Sequence, residues 1–372
     1  MHPSDVMEDL KGLELARLFY QDAVAPLVDS ALPGRRYTAG LIGPCSDVLG
    51  FDDAISRDHG WGPRCHVLLE PAGFDQARAA LDAALTSRLP CSFRGYTTSF
   101  EGPHCRPVAV DRPPVRHWID IATPERFLRR NLGVADPSAL APVDWLTIHE
   151  HRLLTVSAGA PFRDDLDFEA TRRRFAFYPD DLRLHLLAAE WQKIAHEQAF
   201  PGRAGFSGDE VGSAIVAARL AESLARLCFY VQRAYPPYSK WFGVALGRLR
   251  DCDDVYERIA AMLGAGEWQA RDQRWADALR AVIAAHERAG LLERGKYLPA
   301  PVYLGRPGTG LPAFERGGPP SIEALIEDIR GKISDPDVRS LPPALGSINQ
   351  LSSCCDLTDD VDRRGALAKL YV

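Results

Sequence analysis

The sequence has no long apolar run and no recognisable leader. No stretch approaches the ~20 apolar residues that a helix needs to cross a bilayer, so no transmembrane span is predicted. The first residues, Met1 to Asp9, include acidic side chains and lack the basic and apolar stretches of a signal peptide. We therefore expect a cytoplasmic protein with no membrane partner.

Paired metal-binding cysteines and excess positive charge are also missing. The eight cysteines are scattered, and none forms a C-x-x-C pair, so a structural zinc site is not expected. Free thiols, mostly buried as small apolar groups, are the default in a reducing compartment. The formal net charge is -6, so bulk charge does not indicate a nucleic-acid partner.

The chain has the bulk composition of a globular protein with a sizeable core. It has 372 residues, of which 46% are hydrophobic and 25% charged. This length predicts two or three domains at the usual ~100–200 residues each. The sequence does not indicate an oligomeric state.

The first third alternates between strand and helix patterns. Apolar spacing and turn residues predict the following elements in order: a helix at Gly12–Ala31, strands at Tyr37–Ile42 and Cys65–Leu69, a helix at Phe74–Leu85, a strand at Arg116–Ile121 and a helix from Pro124. This order predicts a small α/β unit with a mixed sheet, which we place at residues 1–135.

The rest of the chain has helical patterns. A helix is predicted at Leu182–Gln198, and the capping-box pattern from Ser207 to Glu210 opens a second one. Later elements are predicted as helices at about 254–263 and 271–289, a loop at Leu298–Pro320 and a helix at Ser321–Lys332. We therefore expect an α+β protein with a helical bundle at 136–297 and a helical extension at 298–372.

The densest polar segment is Gly43–Arg64, which lies between the first two predicted strands. It combines Ser46 with five acidic or imidazole side chains, four glycines and two prolines. Ser46 and the amides after Gly43 could hold phosphate oxygens, while Asp58 and Asp120 could share a divalent cation. The alternative is a polar loop whose aspartates cap turns.

This segment resembles the entry motif of the nucleotidyltransferase superfamily, of the kanamycin nucleotidyltransferase type. It is more closely similar to a bacterial nucleotidyltransferase-like family that carries a domain-of-unknown-function label. The matching stretches are SDVLGFDD at Ser46–Asp53, SRDHGWGPR at Ser56–Arg64, DWLTIHEHRLL at Asp144–Leu154, WQKIAHEQAFPGR at Trp191–Arg203 and YPPYSKWFG at Tyr235–Gly243.

The resemblance implies a working site in the cleft between the α/β and helical domains. It implies catalytic roles for Asp58, Asp120 and Glu197, with one magnesium ion on Asp58 and Asp120 and a nucleoside triphosphate as substrate. Glu197 would take a proton from a small-molecule hydroxyl, or else pair with Arg203 as a solvated helix-end carboxylate. The predicted substrate-binding residues are Ser46, Asp47, His59, Trp61, Arg64, Gln192, Arg203, Tyr238 and Lys240.

Two positions depart from the family pattern. Cys45 stands where the pattern has the glycine of Gly-Ser, and Gly60 stands where it has the second acid of Asp-x-Asp. The resemblance gives that acid pair two magnesium ions. Its loss at Gly60 therefore leaves one ion at most, or a different reaction on the same scaffold.

Two further patterns have alternative readings. Arg219, Arg226 and Arg233 recur every seven residues, which predicts that they lie along one side of a helix. They would either line a pocket for an anion or form a solvated face. Cys45 with His104 and Cys105 would suit a cysteine nucleophile and a histidine base, although nothing in the sequence brings them together.

Three functions remain open at this level. The first is a nucleotidyltransferase-like enzyme acting on a small-molecule acceptor. The second is a repurposed scaffold that catalyses a metal-independent step in small-molecule biosynthesis. The third is a non-catalytic binding protein.

Overall fold

The computed structural model describes residues 10–102, 108–136, 138, 140–297, 300–303, 315–318 and 322–371. The chain divides into an α/β unit, residues 1–140 with 151–176, and a helical unit, residues 141–150 with 177–372. The predicted α+β class is confirmed. The predicted limits 1–135, 136–297 and 298–372 stay predictions about domains. Within the described residues, no helix is both long enough and apolar enough to cross a membrane.

Strands β1 to β10 are numbered in chain order over the described part of the chain. They span Tyr37–Leu41, Arg64–Leu69, Ser92–Phe93, Tyr96–Thr97, Phe100–Glu101, Val108–Ala109, Trp118–Ala122, Ala160–Asp164, Ala300–Tyr303 and Glu315–Gly318. Helices α1 to α19, numbered in the same way, span Gly12–Phe19, Ala25–Ala31, Ser46–Leu49, Phe74–Arg88, Pro124–Leu132, Pro142–Thr147, Glu150–Ser157, Phe168–Arg173, Asp180–Glu197, Phe200–Phe206, Glu210–Val231, Phe242–Leu246, Asp253–Leu263, Trp268–Arg288, Ile322–Gly331, Pro336–Ser340, Ile348–Leu351, Cys355–Thr358 and Arg364–Leu367.

A four-stranded mixed sheet forms the centre of the α/β unit, in the order β7-β2-β1-β8. β1 pairs antiparallel with β2 and β8, whereas β2 pairs parallel with β7. Every residue of β1 and β2 is buried, which explains why both strands read as short apolar runs in the sequence. The parallel register places His66 opposite Asp120. The pairing of β2 with β7 therefore sets two polar side chains side by side.

The first predicted helix is interrupted. α1 ends at Phe19, a π-helical turn covers Tyr20–Val24, and α2 starts at Ala25 with a proline in its first turn. Proline has no N–H to donate to the turn before it, so a widened turn there is the expected accommodation. The apolar side of these turns packs into a core cluster that includes Val67 and Leu81.

The helical unit is built on α9, α11 and α14. α11 packs against both α9 and α14, and α9 also packs against α15. Their core includes Leu186, Trp191, Leu224, Phe229 and Trp275, each at most 1% exposed. The predicted helical pattern is therefore confirmed for this part of the chain.

The start of α11 differs from the capping-box prediction. The N-cap is Asp209, whose Oδ1 accepts the Gly212 N–H at 2.7 Å, whereas the Ser207 hydroxyl donates to Arg203 O. The prediction of Ser207 as the cap is wrong because Ser207 is the C-cap of the preceding helix α10, Phe200–Phe206. A Cβ on Gly205 would lie 2.1 Å from the Trp268 ring, so glycine permits this close approach of α10 to α14.

One further prediction differs in the C-terminal part. Within the predicted loop Leu298–Pro320, β9 and β10 form an antiparallel pair. The prediction of a continuous loop is therefore wrong at these eight residues (two strands of four).

Candidate functional site

The Gly43–Arg64 segment is an ordered loop held together by its own polar groups. The Ser46 hydroxyl donates to Ser56 O at 2.5 Å. Arg64 donates from Nη2 and Nε to the two carboxylate oxygens of Asp47, at 2.6 and 3.2 Å. Such a bidentate pair fixes both side chains. Ser46 and Asp47 were predicted to bind substrate, but the Ser46 hydroxyl and the Asp47 carboxylate make hydrogen bonds within the loop instead.

Asp52 ties the same loop to the first helix. Its Oδ2 accepts the Gly12 N–H at 2.7 Å and the Trp61 Nε1–H at 3.2 Å. The Trp61 ring packs edge-on against Tyr96, and the Arg57 guanidinium lies 4.6 Å from the ring centroid. Trp61 therefore has structural contacts on its faces, and Asp52 anchors it to the start of α1.

Next to this loop, a cavity of about 400 Å³ opens in the α/β unit. It collects side chains from the loop, from β2 and β7, and from α5. Its lining residues are Pro44, Cys45, Gly60, Arg64, Cys65, His66, His117, Trp118, Ile119, Asp120, Arg130 and Asn131. The structure thus brings together Arg64 and Asp120, two of the predicted site residues, with the two positions that depart from the family pattern.

Asp120 is the acidic residue in this lining. Arg130 donates to both of its carboxylate oxygens, from Nη1 at 3.1 Å and from Nη2. His66 Nε2 lies 3.7 Å from Oδ2. Burial raises the pKa of Asp120, but the Arg130 hydrogen bonds and the nearby His66 outweigh it, so the pKa lies below its usual value. Asp120 is therefore an anion whose charge is already balanced by the Arg130 guanidinium.

His66 is uncharged at neutral pH. Burial lowers its pKa to about 4, against the opposing attraction of Asp120, and the charges of Arg64 and Arg130 lower it further. Because the imidazole is neutral, it adds no third positive charge beside the two guanidinium groups.

Cys45 has a backbone conformation that glycine normally occupies. Its φ is 110° and its ψ is 159°, in a region that costs a side-chain-bearing residue on the order of 1–3 kcal/mol. A Cβ on Gly60 would lie 2.7 Å from the Cys45 Sγ. The thiol thus occupies the space next to Gly60 that a larger side chain would need, and the two departures from the family pattern are in direct contact.

The two predicted metal ligands, Asp58 and Asp120, pair with different side chains. The Asp58 carboxylate lies 2.6 Å from His59 Nδ1, and both side chains are about half-exposed. Asp58 and His59 do not line the cavity of the α/β unit, whereas Asp120 does. Within the described residues, no group of three or more His, Cys, Asp or Glu side chains is placed to hold a metal ion. A single ion on Asp58 and Asp120 stays a prediction.

The predicted residues of the helical unit lie in several places. Glu197 accepts two hydrogen bonds from Arg219, at 2.9 and 3.1 Å, rather than one from Arg203. Gln192 hydrogen-bonds His196 at 3.1 Å, and Arg203 is exposed on α10. The helical unit contains a cavity of about 490 Å³, and Glu197, Gln192 and Arg203 do not line it.

Tyr238 and Lys240, the other two predicted residues of the helical unit, lie two positions apart in the chain. Tyr238 is 40% exposed and lines the cavity of the helical unit. The Lys240 ammonium lies 4.7 Å from the ring centroid of Trp241, a cation–π contact. Nothing in these contacts assigns a ligand to Lys240.

The predicted arginine row is divided between both readings. Arg219 and Arg226 lie on α11, but the prediction that Arg233 continues the same helix is wrong, because α11 ends at Val231. Arg219 and Arg233 are about half-exposed and pair with Glu197 and Asp180, as a solvated face would. Arg226 is buried and lines the cavity of the helical unit. In the other alternative, Cys45 with His104 and Cys105, the two latter residues lie outside the described residues.

The middle of the chain is similar to one known family. Residues 145–242 match the family model described as domain of unknown function (DUF4037). The sequence resemblance to a family with such a label is thereby confirmed for this matched segment, which contains the WQKIAHEQAFPGR and YPPYSKW stretches. No curated protein matches the chain.

One solved structure is similar over most of its length. It is described as a nucleotidyltransferase-like protein from Exiguobacterium sibiricum 255-15. It covers 74% of this chain and 76% of its own, with 13% identity and a TM-score of 0.32. A likeness of this size supports no conclusion about fold or activity.

Several lining residues were not predicted from the sequence. His66, His117, Arg130 and Asn131 lie on β2, just before β7 and on α5. His66 had one available signal, since it lies inside a predicted strand of the same α/β unit as the predicted strand that carries Asp120. The strand register that pairs the two is not visible in the sequence.

Proposed function

We propose that this chain is a nucleotidyltransferase-like enzyme that binds a nucleoside triphosphate in the cavity of the α/β unit and transfers a nucleotidyl group to a small-molecule acceptor. One observation carries the proposal. Two guanidinium groups, Arg64 and Arg130, line the same cavity beside the ordered motif loop. Guanidinium groups recognise phosphate through paired N–H donors.

The two arginines differ in how freely they can meet a phosphate. Arg64 is buried, and burial opposes its charge, but the nearby Asp47 raises its pKa above the usual value. It is therefore a fixed positive charge in the wall. Arg130 is half-exposed and pairs with Asp120, so it can exchange that carboxylate for a phosphate group.

This exchange would leave Asp120 without its cation. Magnesium commonly binds proteins through one or two carboxylates plus substrate phosphates, and Asp120 supplies one carboxylate in the cavity. A magnesium ion brought with the triphosphate would neutralise Asp120 while Arg130 binds phosphate. We therefore propose that nucleotide binding is strengthened by magnesium.

Calorimetry with each of the four common ribonucleoside triphosphates, with and without magnesium, tests the proposal. We expect binding that strengthens with magnesium. Arg130→Gln should weaken it by about tenfold or more, the loss of a charge-assisted hydrogen bond. Arg129→Gln is the matched control, because Arg129 pairs with Glu125 on the same helix and is not part of the cavity lining. No heat with any triphosphate would contradict the proposal.

The second candidate, a metal-independent step on a repurposed scaffold, has one supporting observation. Asp120 is already paired with the Arg130 guanidinium, and the Cys45 thiol occupies the space beside Gly60. If the cavity works this way, ligand binding should be unchanged by a chelator. Binding abolished by the chelator would exclude this candidate.

A further inference from the structure

A second cavity, of about 490 Å³, lies entirely within the helical unit. This volume is within the range of small-molecule sites, roughly 300–1,000 Å³. Its walls come from α11, α12 and α13, together with residues near the start of α7 and around α17 and α18.

Small residues on α11 create the space. Ala218, Ala221 and Ala225 are three to seven residues apart and therefore lie on one face of the helix. Opposite apolar walls come from Leu246 on α12 and Ile259 on α13. An apolar ligand body would be taken out of water against these walls, which stabilises binding in proportion to the buried area.

A fixed polar group forms one end of the cavity. Arg226 donates from Nη1 to Glu150 at 2.9 Å and from Nε and Nη2 to Glu222 at 3.1 Å. Behind it, Glu150 is buried and accepts hydrogen bonds from Tyr230 at 2.7 Å and Ser347 at 3.0 Å. Because the guanidinium has partners on two sides, it is held in one orientation before any ligand binds.

The charge at this end favours a cation. One guanidinium, Arg226, is shared by two carboxylates, Glu150 and Glu222, which leaves an excess negative charge. Glu150 lies behind the wall, whereas Glu222 is half-exposed and lines the cavity. Both hydrogen bonds from Arg226 to Glu222 go to Oε1, so among the described residues Oε2 has no hydrogen-bond partner and can accept one from a ligand.

We propose that this cavity binds a small organic molecule with an apolar body and an amine head group, with the amine on Glu222 and the body against the alanine face of α11. Calling this molecule the acceptor rests on the proposed function. Its binding does not, because the cavity contains only residues of the helical unit and requires no nucleotide.

Three probes of one shape test the chemistry: 4-phenylbutylamine, 4-phenylbutanol and 4-phenylbutanoate. Each is titrated calorimetrically into the full chain without nucleotide or magnesium. We expect the amine to bind tightest, the alcohol more weakly and the acid weakest. The amine should exceed the acid by about tenfold or more, because a charge-assisted hydrogen bond is replaced by repulsion.

Two variants locate the site. Ala218→Phe fills the cavity from an exposed position, so the fold should persist, and the amine should lose affinity by about tenfold or more. Ala214→Phe, one helical turn earlier, is exposed and outside the lining, so it should leave affinity unchanged. Glu222→Gln should remove the preference for amine over alcohol while retaining apolar binding.

The outcomes separate this proposal from the proposed function. Amine binding that Ala218→Phe removes supports the cavity even if no triphosphate binds elsewhere. The proposal is overturned if no probe binds at millimolar concentration, if the acid binds as tightly as the amine, or if Ala214→Phe and Ala218→Phe have the same effect.

Discussion

The contact between Cys45 and Gly60 predicts a strong coupling between two substitutions. Cys45→Gly removes a side chain from a backbone conformation of φ 110°. Gly60→Asp places a Cβ where the Cys45 Sγ lies 2.7 Å away, at a φ of 59° that aspartate tolerates better than most residues. We expect the aspartate to be accepted only after the thiol is removed.

The magnitudes follow from strain and overlap. Relief of strain at position 45 is worth on the order of 1–3 kcal/mol, less about 0.5–1 kcal/mol for the added freedom of glycine in the unfolded chain. Cys45→Gly should therefore stabilise the α/β unit by about 1 kcal/mol. Gly60→Asp alone should cost about 2–4 kcal/mol, as overpacked sites do. When Cys45→Gly is already present, we expect that cost to fall by about 1–3 kcal/mol, a coupling typical of residues in contact.

Urea unfolding of the wild type, both single variants and the double variant measures this coupling. Gly50→Asp is the matched control, because Gly50 also has a positive φ, 69°, but a Cβ there would meet nothing within 4 Å. It should combine additively with Cys45→Gly. Additivity of Cys45→Gly with Gly60→Asp, within about 0.5 kcal/mol, would refute the argument that the two positions compete for one space.

The remaining predictions concern the helical unit. Burial lowers the pKa of His286 to about 4, and its Nε2 accepts the Trp191 Nε1–H at 3.2 Å. The unfolded chain therefore takes up the proton first, and stability should fall by up to about 3 kcal/mol as the pH drops from about 6.5 to 4. His286→Gln should flatten this slope in urea unfolding at pH 7 and 4.5, and an unchanged slope would exclude His286 as its source. Gly205→Ala should lower the free energy of unfolding by about 1–3 kcal/mol through overlap with Trp268, whereas the control Gly243→Ala meets nothing within 4 Å; equal effects would contradict the close approach.

Much of the fold could be predicted from local patterns. The strands at 37–42 and 65–69 are mostly apolar, with Thr38 and His66 as their polar members, because both strands are buried within the sheet. The edge strand β8 was not predicted, since its five residues are only partly buried and carry two charged side chains. It joins β1 from more than a hundred residues away, and a local pattern does not contain that pairing.

The candidate site could be predicted only in part, for the same reason. Arg64 was identified through the matching stretch SRDHGWGPR and Asp120 because it lies within a predicted strand, and both line one cavity. The partners that decide their chemistry come from long-range geometry. His66 faces Asp120 through strand register, and Glu197 pairs with Arg219, which lies 22 positions away on another helix.

The anchor of Asp52 on Gly12 has a practical consequence for anyone shortening or tagging this protein. The carboxylate that positions Trp61 is itself held by the backbone at the amino end of α1. Trimming the chain past residue 12 would leave a buried carboxylate without this donor and loosen the loop beside the cavity. An amino-terminal tag should therefore be separated from Gly12 by the native residues before it.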